Sequence, residues 1–179
     1  KIMYNKFGQF IDGAWQEAEK KETYDVINPA TEEVIGSASK ASSSDVQRAL
    51  RSAQKGLKVW SGTTPWQRSY VLRKIADLMR ERKDVLAKWL TLEVGKPLTE
   101  GVGEVGGGAD IFEWNAEETK RIYGQTQQSR FPDTRVHVYY QPVGVVAALI
   151  PWNFPIVLAS RKISTALAAG CSVICKPDT

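Results

Sequence analysis

Val143-Gly144-Val145-Val146-Ala147-Ala148-Leu149-Ile150-Pro151-Trp152-Asn153-Phe154-Pro155 is the stretch on which the fold turns. Its first eight residues are a continuous apolar run, the pattern of a strand buried on both faces as in a parallel sheet. Pro151 to Pro155 breaks the run with a loop. Ile156, Leu158 or Ala159, Ile163, Ala166 and Leu167 then recur at helical spacing, and Gly170 stands where a C′ glycine closes a helix. Cys171 to Cys175 is a second short apolar run, closed by Lys176-Pro177. Strand, helix and strand in about 34 residues make one βαβ unit, with parallel strands and a right-handed crossover. A single unit leaves open edges and uncovered faces, and the chain stops three residues after the second strand. The reading is an α/β fold, truncated before the rest of its sheet.

Upstream, Phe10-Ile11-Asp12-Gly13-Ala14-Trp15 sets an Asp-Gly turn between apolar residues, a hairpin signal. Thr23 to Ile27 and Glu33 to Ala38 read as further strands around Asn28-Pro29-Ala30-Thr31. The first helix is expected from Ser44, with Gln47 completing a capping box. Val46, Ala49, Leu50, Ala53, Leu57 and Trp60 form its apolar stripe. Thr64 and Pro65 start a second, long helical region as N-cap and first helical residue. Leu72, Ile75, Met79, Val85, Leu86, Trp89 and Leu90 run along it to Gly95-Lys96-Pro97. Residues 98–108 hold five glycines and read as a weakened helix start. A further helix from Ile111 and Phe112 stops near Gly124, Gln125 to Pro132 is polar loop, and Arg135 to Gln141 alternates like an exposed strand. Trp60, Trp66, Trp89 and Trp114 are expected in the core.

Hydrophobic residues make up 42% of the chain and charged residues 25%, an ordinary globular balance. Twenty-four Lys and Arg face 20 Asp and Glu, a net charge of +4 with no basic block, which argues against a nucleic-acid partner. Two cysteines and one histidine, His137, are too few for a zinc site, so no metal is expected. Cys171 and Cys175, expected buried in a strand, are inert candidates and suit a reducing, cytoplasmic compartment. No run approaches transmembrane length, so no membrane partner is expected.

Three features bear on chemistry. Gly101-Val102-Gly103-Glu104-Val105-Gly106 matches G-x-G-x-x-G literally, yet a helix and a Gly-Lys-Pro turn precede it where a strand is needed, so it is read as a decoy. The Pro151–Pro155 loop lies beyond the carboxyl end of a strand, where α/β sheets bind ligands. Trp152 offers a flat apolar wall there, and Asn153 offers a neutral amide donor suited to a developing oxyanion, or else a helix cap. Lys176 ends the second strand, where a dinucleotide fold meets a ribose. With Thr179 it offers a cation and a hydroxyl, although Asp178 is adjacent.

The strings Gln141-Pro142-Val143-Gly144-Val145-Val146, Pro151-Trp152-Asn153-Phe154-Pro155, Ala168-Ala169-Gly170-Cys171 and Lys176-Pro177 together resemble the aldehyde dehydrogenase superfamily. Asn28-Pro29-Ala30-Thr31, Gly95-Lys96-Pro97 and Glu117-Glu118 with Arg121 and Tyr123-Gly124 agree, so the resemblance covers nearly the whole chain. It implies that 1–179 is the N-terminal part of a Rossmann-like NAD(P)-binding domain. This would comprise a small β region, a helical region 44–124, a subunit-bridging arm 125–141 and a first βαβ unit 143–176, with the catalytic domain absent from this chain. It implies oxidation of an aldehyde to an acid with NADP or NAD. Asn153 would supply the oxyanion-hole amide. Ile150, Pro151, Trp152 and Asn153, with Lys176, Pro177, Asp178 and Thr179, would line the cofactor, Lys176 at the adenosine ribose. Members that favour NAD often carry Glu at the place of Thr179, so Thr179 resembles NADP-tolerant members. The family's nucleophilic cysteine and general-base glutamate lie beyond residue 179.

The Glu113–Glu118 block and Arg161-Lys162 look like succinate-semialdehyde dehydrogenases, in which an arginine at the place of Arg161 helps bind the substrate carboxylate. A lactaldehyde or other semialdehyde dehydrogenase is the alternative, and a non-catalytic nucleotide-binding fragment a second. Family members are usually dimers or tetramers, so a homodimer or homotetramer is expected.

Overall fold

The computed structural model describes residues 8–178. Its N-terminal part is two antiparallel hairpins. β1 (Gln9–Ile11) pairs with β2 (Ala14–Gln16) across the Asp12-Gly13 turn, and β3 (Thr23–Ile27) pairs with β4 (Val34–Ser39). Asp12 and Gly13 both have positive φ, 56° and 79°, as a two-residue hairpin turn requires.

Four helices follow: α1 (Ser43–Trp60), α2 (Pro65–Glu81), α3 (Lys83–Val94) and α4 (Leu98–Glu118), with one 3-10 turn at Thr119–Arg121. α1 is capped by Ser42 with Asp45, two residues ahead of the expected Ser44 and Gln47. The Asp45 carboxylate decides this. It is 1% exposed and accepts the amides of Ser42 (2.8 Å) and Glu19 (3.2 Å). Burial pushes its carboxyl up, but these bonds, the Ser42 hydroxyl and Arg48 outweigh burial and hold it down at about 2. α2 begins as expected, with Thr64 and Gln67 forming the box and Pro65 following.

The long helical region is in fact two helices. They break at Arg82, whose φ of −99° and ψ of 14° leave the helical range. The glycine-rich segment is not a weakened start but the first half of the 21-residue α4. Gly101, Glu104, Val105, Gly108, Ala109, Phe112 and Ala116 form its buried stripe. Gly108 lets α5 (Pro155–Ala168) approach closely: a Cβ there would lie 2.8 Å from Ser160 Oγ and 2.9 Å from both Ile156 Cγ2 and Met79 Cε. The apolar core between α2, α4 and α5 is Leu72, Ala76, Ala109, Phe112, Ala116 and Ala168. Trp66 and Trp114, expected in this core, are 69% and 68% exposed, because their positions fall off the buried stripes.

The segment expected as polar loop pairs instead: β5 (Gln125–Gln128) is antiparallel to β6 (Arg135–Val138), which is shorter than the expected strand to Gln141. Backbone pairing rather than burial joins the strands, since all four β5 side chains are exposed. His137 Nδ1 lies 3.2 Å from Thr126 Oγ1 across this hairpin.

The βαβ unit is present. β7 (Val145–Leu149) and β8 (Ser172–Lys176) are parallel neighbours joined by α5. Gly170 has φ +87°, the left-handed turn that ends the helix. Burial is less complete than the apolar runs suggest. Leu149 is 63% and Val143 90% exposed, since this sheet has two strands and α1 and α5 packed on it. Cys171 is buried just before β8, whereas Cys175 is exposed, contrary to expectation.

Candidate active site

The parallel register sets the site. Leu149 pairs with Lys176, so β7 and β8 end side by side, and Ile150 donates its N–H to the Lys176 carbonyl at 3.0 Å. Both chains therefore leave the sheet at one carboxyl edge, the position at which α/β sheets bind ligands. Ile150 is buried, while Pro151, Trp152, Asn153, Phe154, Lys176, Pro177 and Asp178 are exposed there. Thr179 lies outside the described residues. Lys176 Nζ donates to the neighbouring Pro177 carbonyl, at 2.7 Å.

Asn153 does not cap α5. The N-cap is Phe154, and it makes no side-chain capping bond. Its role falls to a residue from another helix. Glu104 of α4, 6% exposed, reaches across to the start of α5, where Oε1 accepts the amides of Ile156 at 2.9 Å and Val157 at 3.2 Å. These are the orphan donors of a helix N-terminus, and a carboxylate there also meets the positive end of the helix dipole. The other oxygen, Oε2, takes Lys96 Nζ in a buried ion pair. Lys96 also donates to the Asn153 carbonyl at 3.2 Å and sits 4.2 Å from the centre of the Phe154 ring.

The sequence reading missed this pair, since Glu104 lay inside the motif dismissed as a decoy. The dismissal itself holds, because the segment is helix interior and no phosphate loop. Carrying the helix back to Leu98 would have put Glu104 on the apolar stripe between Gly101 and Val105, a signal that something must neutralise it.

Arg161 lies two turns into α5, exposed and without an ion pair among the described residues. Its neighbour Lys162 donates to the Leu149 carbonyl at the end of β7. Cys175, on β8, is no activated nucleophile: although the residue is exposed, partial desolvation of its thiol pushes the pKa up, against the opposing influence of Lys162. Among the described residues no cluster of three His, Cys, Asp or Glu could hold a metal ion, and no helix is long and apolar enough to cross a membrane.

An exposed loop on a parallel βαβ edge, with an amide donor, an aromatic wall and a strand-end lysine, narrows the family sharply. Residues 15–179 match the Aldehyde dehydrogenase family. The chain belongs to that family.

Its relatives agree in kind. The glutarate-semialdehyde dehydrogenase of Pseudomonas aeruginosa is 46% identical over 168 residues, covering 94% of this chain and 35% of that protein. The NADP(+) succinate-semialdehyde dehydrogenase of Escherichia coli is 44% identical over 167 residues, 93% of this chain and 35% of that protein. The crystal structure of an E. coli NADP-dependent enzyme matches with a TM-score of 0.94 at 43% identity, over 96% of this chain and 36% of that one. The chain thus spans about a third of the length of these proteins, in their N-terminal portion.

Proposed function

We propose that this chain is the cofactor-binding and oxyanion-binding portion of an enzyme that oxidises a carboxylate-bearing semialdehyde, such as succinate semialdehyde, to the diacid with NADP+ or NAD+. The observation that carries the reading is the Pro151–Pro155 loop at the carboxyl edge of β7, with Asn153 exposed and its backbone tied down from beneath. The donor set fits a dinucleotide: exposed Lys176 at the strand end for a ribose or its phosphate, and Ile150, Pro151 and Trp152 as an apolar wall, with Pro177 and Asp178 continuing the rim. NADP+ or NAD+ supplies the hydride acceptor when bound.

The chain's own contribution is electrostatic. When a nucleophile adds to an aldehyde carbonyl, negative charge gathers on its oxygen. The Asn153 amide, a neutral donor held in place beforehand, lowers the energy of that charge without titrating itself. Arg161, an exposed cation two turns along α5 with no ion pair among the described residues, meets the distant carboxylate of the substrate. The relatives' names, as dehydrogenases of glutarate and succinate semialdehydes, support an anionic tail. The exposed polar hairpin β5–β6 within 125–141 suits an arm between subunits of a homodimer or homotetramer, and the free cysteines suit the cytoplasm.

The test is nicotinamide reduction by the complete natural polypeptide, with succinate semialdehyde, glutarate semialdehyde and an uncharged aliphatic aldehyde, each with NADP+ and NAD+. Asn153→Ala is expected to lower kcat by about 10²–10³ on every aldehyde, the loss typical of one oxyanion donor. Arg161→Met is expected to raise KM for the two semialdehydes about tenfold, the equivalent of roughly 1.4 kcal/mol, and to leave the aliphatic aldehyde unaffected. Equal KM changes on charged and uncharged substrates would remove Arg161 from the carboxylate site.

A further inference from the structure

We infer that the Lys96–Glu104 ion pair is a positioning device that fixes the Asn153 loop from beneath, and that the oxyanion amide owes its geometry to it. The inference rests on the role of Asn153 proposed above. Burying two charges costs several kcal/mol per ion, and their mutual attraction offsets this only where the remaining polar valences are also satisfied. Here the side chains are 8% and 2% exposed, so the remaining partners matter. They are the Asn153 carbonyl, the Phe154 ring, and the amides of Ile156 and Val157. All fall within 153–157, the junction where the loop becomes α5.

The two sides of this contact differ in rigidity. Lys96 is clamped between two helix ends, following Gly95, the left-handed cap of α3, and preceding Pro97, the N-cap of α4. Glu104 sits beside Val105, which is fully buried. Across from them Trp152 and Phe154 are 67% and 51% exposed, and α5 has no cap of its own. The two-helix corner is thus the fixed body and the loop the part that needs fixing. Lys96 grips the carbonyl of Asn153 itself, which orients the peptide plane that follows the residue carrying the side-chain amide. Glu104 fixes the first turn of α5 that follows. Buried pairs are often replaceable by apolar residues without loss of stability, so the effect expected here is on geometry rather than on folding.

That property supplies the test in the complete polypeptide. Lys96→Met with Glu104→Leu removes both charges together and strands neither. Hydrogen exchange of the cofactor-free protein is read over 152–157, and kcat is read in a cycle with Asn153→Ala. The expected result is a protein that melts close to the parent, exchange over 152–157 faster by about tenfold or more, and a lowered kcat. In that background Asn153→Ala should cost less than about tenfold, against about 10²–10³ in the parent, because the amide is already misplaced. Unchanged exchange, or an Asn153→Ala loss of the same size in both backgrounds, overturns the inference. If the Leu variant does not fold, Lys96→Met with Glu104→Gln carries the same decision. Gln still accepts from Ile156 and Val157, so only exchange next to the Asn153 carbonyl should quicken, and protection at both places would be the overturning result. If Asn153→Ala leaves the parent's turnover intact, the oxyanion reading falls, and the exchange data alone then decide for or against the anchor.

Discussion

One substitution made at two sites of α4 tests how closely that helix and α5 are packed. Gly106→Ala and Gly108→Ala lie two residues apart in one helix, so each removes the same conformational penalty, about 0.8–1 kcal/mol in favour of Ala. At Gly106 an added Cβ meets nothing within 4 Å. At Gly108 it meets Ser160 Oγ at 2.8 Å, Ile156 Cγ2 at 2.9 Å and Met79 Cε at 2.9 Å, where roughly 3.5–4.0 Å is comfortable between carbons. Met79 can swing its end away. Ser160 is 2% exposed and Ile156 is tied by its amide to Glu104, so relief there requires α5 to retreat. Such overpacking costs about 1–3 kcal/mol. The helix term cancels in the comparison, so Gly108→Ala should be about 1–3 kcal/mol less stable than Gly106→Ala. At about 2–4 °C per kcal/mol for a mid-sized domain, the two should separate by several degrees in thermal melts of the complete polypeptide. Because α5 carries the loop, Gly108→Ala should also lower kcat while Gly106→Ala leaves it unchanged. Equal melting shifts at the two sites would refute the close crossing of α4 and α5.

Two further outcomes concern stability alone. Asp45 has a depressed carboxyl, so its contribution is present above the unfolded value near ~3.9 and is lost as pH falls through about 2. The melting gap between the parent and Asp45→Asn should therefore be steady above about pH 5 and close toward pH 2, and a gap independent of pH would count against the buried cap. Thr119, 1% exposed, donates its hydroxyl to the Ala168 carbonyl at 2.6 Å. Thr119→Val should cost about 1–2 kcal/mol, because Arg68 Nε still reaches that carbonyl at 3.2 Å, and urea unfolding measures it.

What the sequence disclosed and what it withheld divide along the range of the interactions involved. The turn at Asp12-Gly13, the cap at Thr64 and Pro65, and the close of α5 at Gly170 depend on neighbours in the chain, and each stands where local chemistry puts it. The αL glycines and the Pro-led helix starts are self-contained signals. Ser42 against Ser44 was not decided locally. Three consecutive serines offer several caps, and the choice fell to Asp45, which also takes the amide of Glu19, 26 residues away in sequence. The break at Arg82 was hidden because α2 and α3 both present an apolar stripe to α4, so the periodicity reads straight through. Glycine content misdirected the reading of α4: in isolation those residues weaken a helix, but here they make room for a neighbour. The site follows the same division. Its exposed loop was legible in a five-residue string, whereas Lys96 meets Asn153 from 57 positions earlier and left no local trace.

The Lys96–Glu104 contact also limits how this sequence can drift. Neither member can change to an apolar residue first without leaving its partner as a lone charge in a dry site, a step that costs about 3–5 kcal/mol, a large share of the margin by which a domain stays folded. Descent away from the pair must therefore run through two changes fixed nearly together. Sequences related to this one should accordingly fall into two groups at these positions, both charges kept or both gone, with mixed states rare and accompanied by a compensating change among the residues that face 153–157.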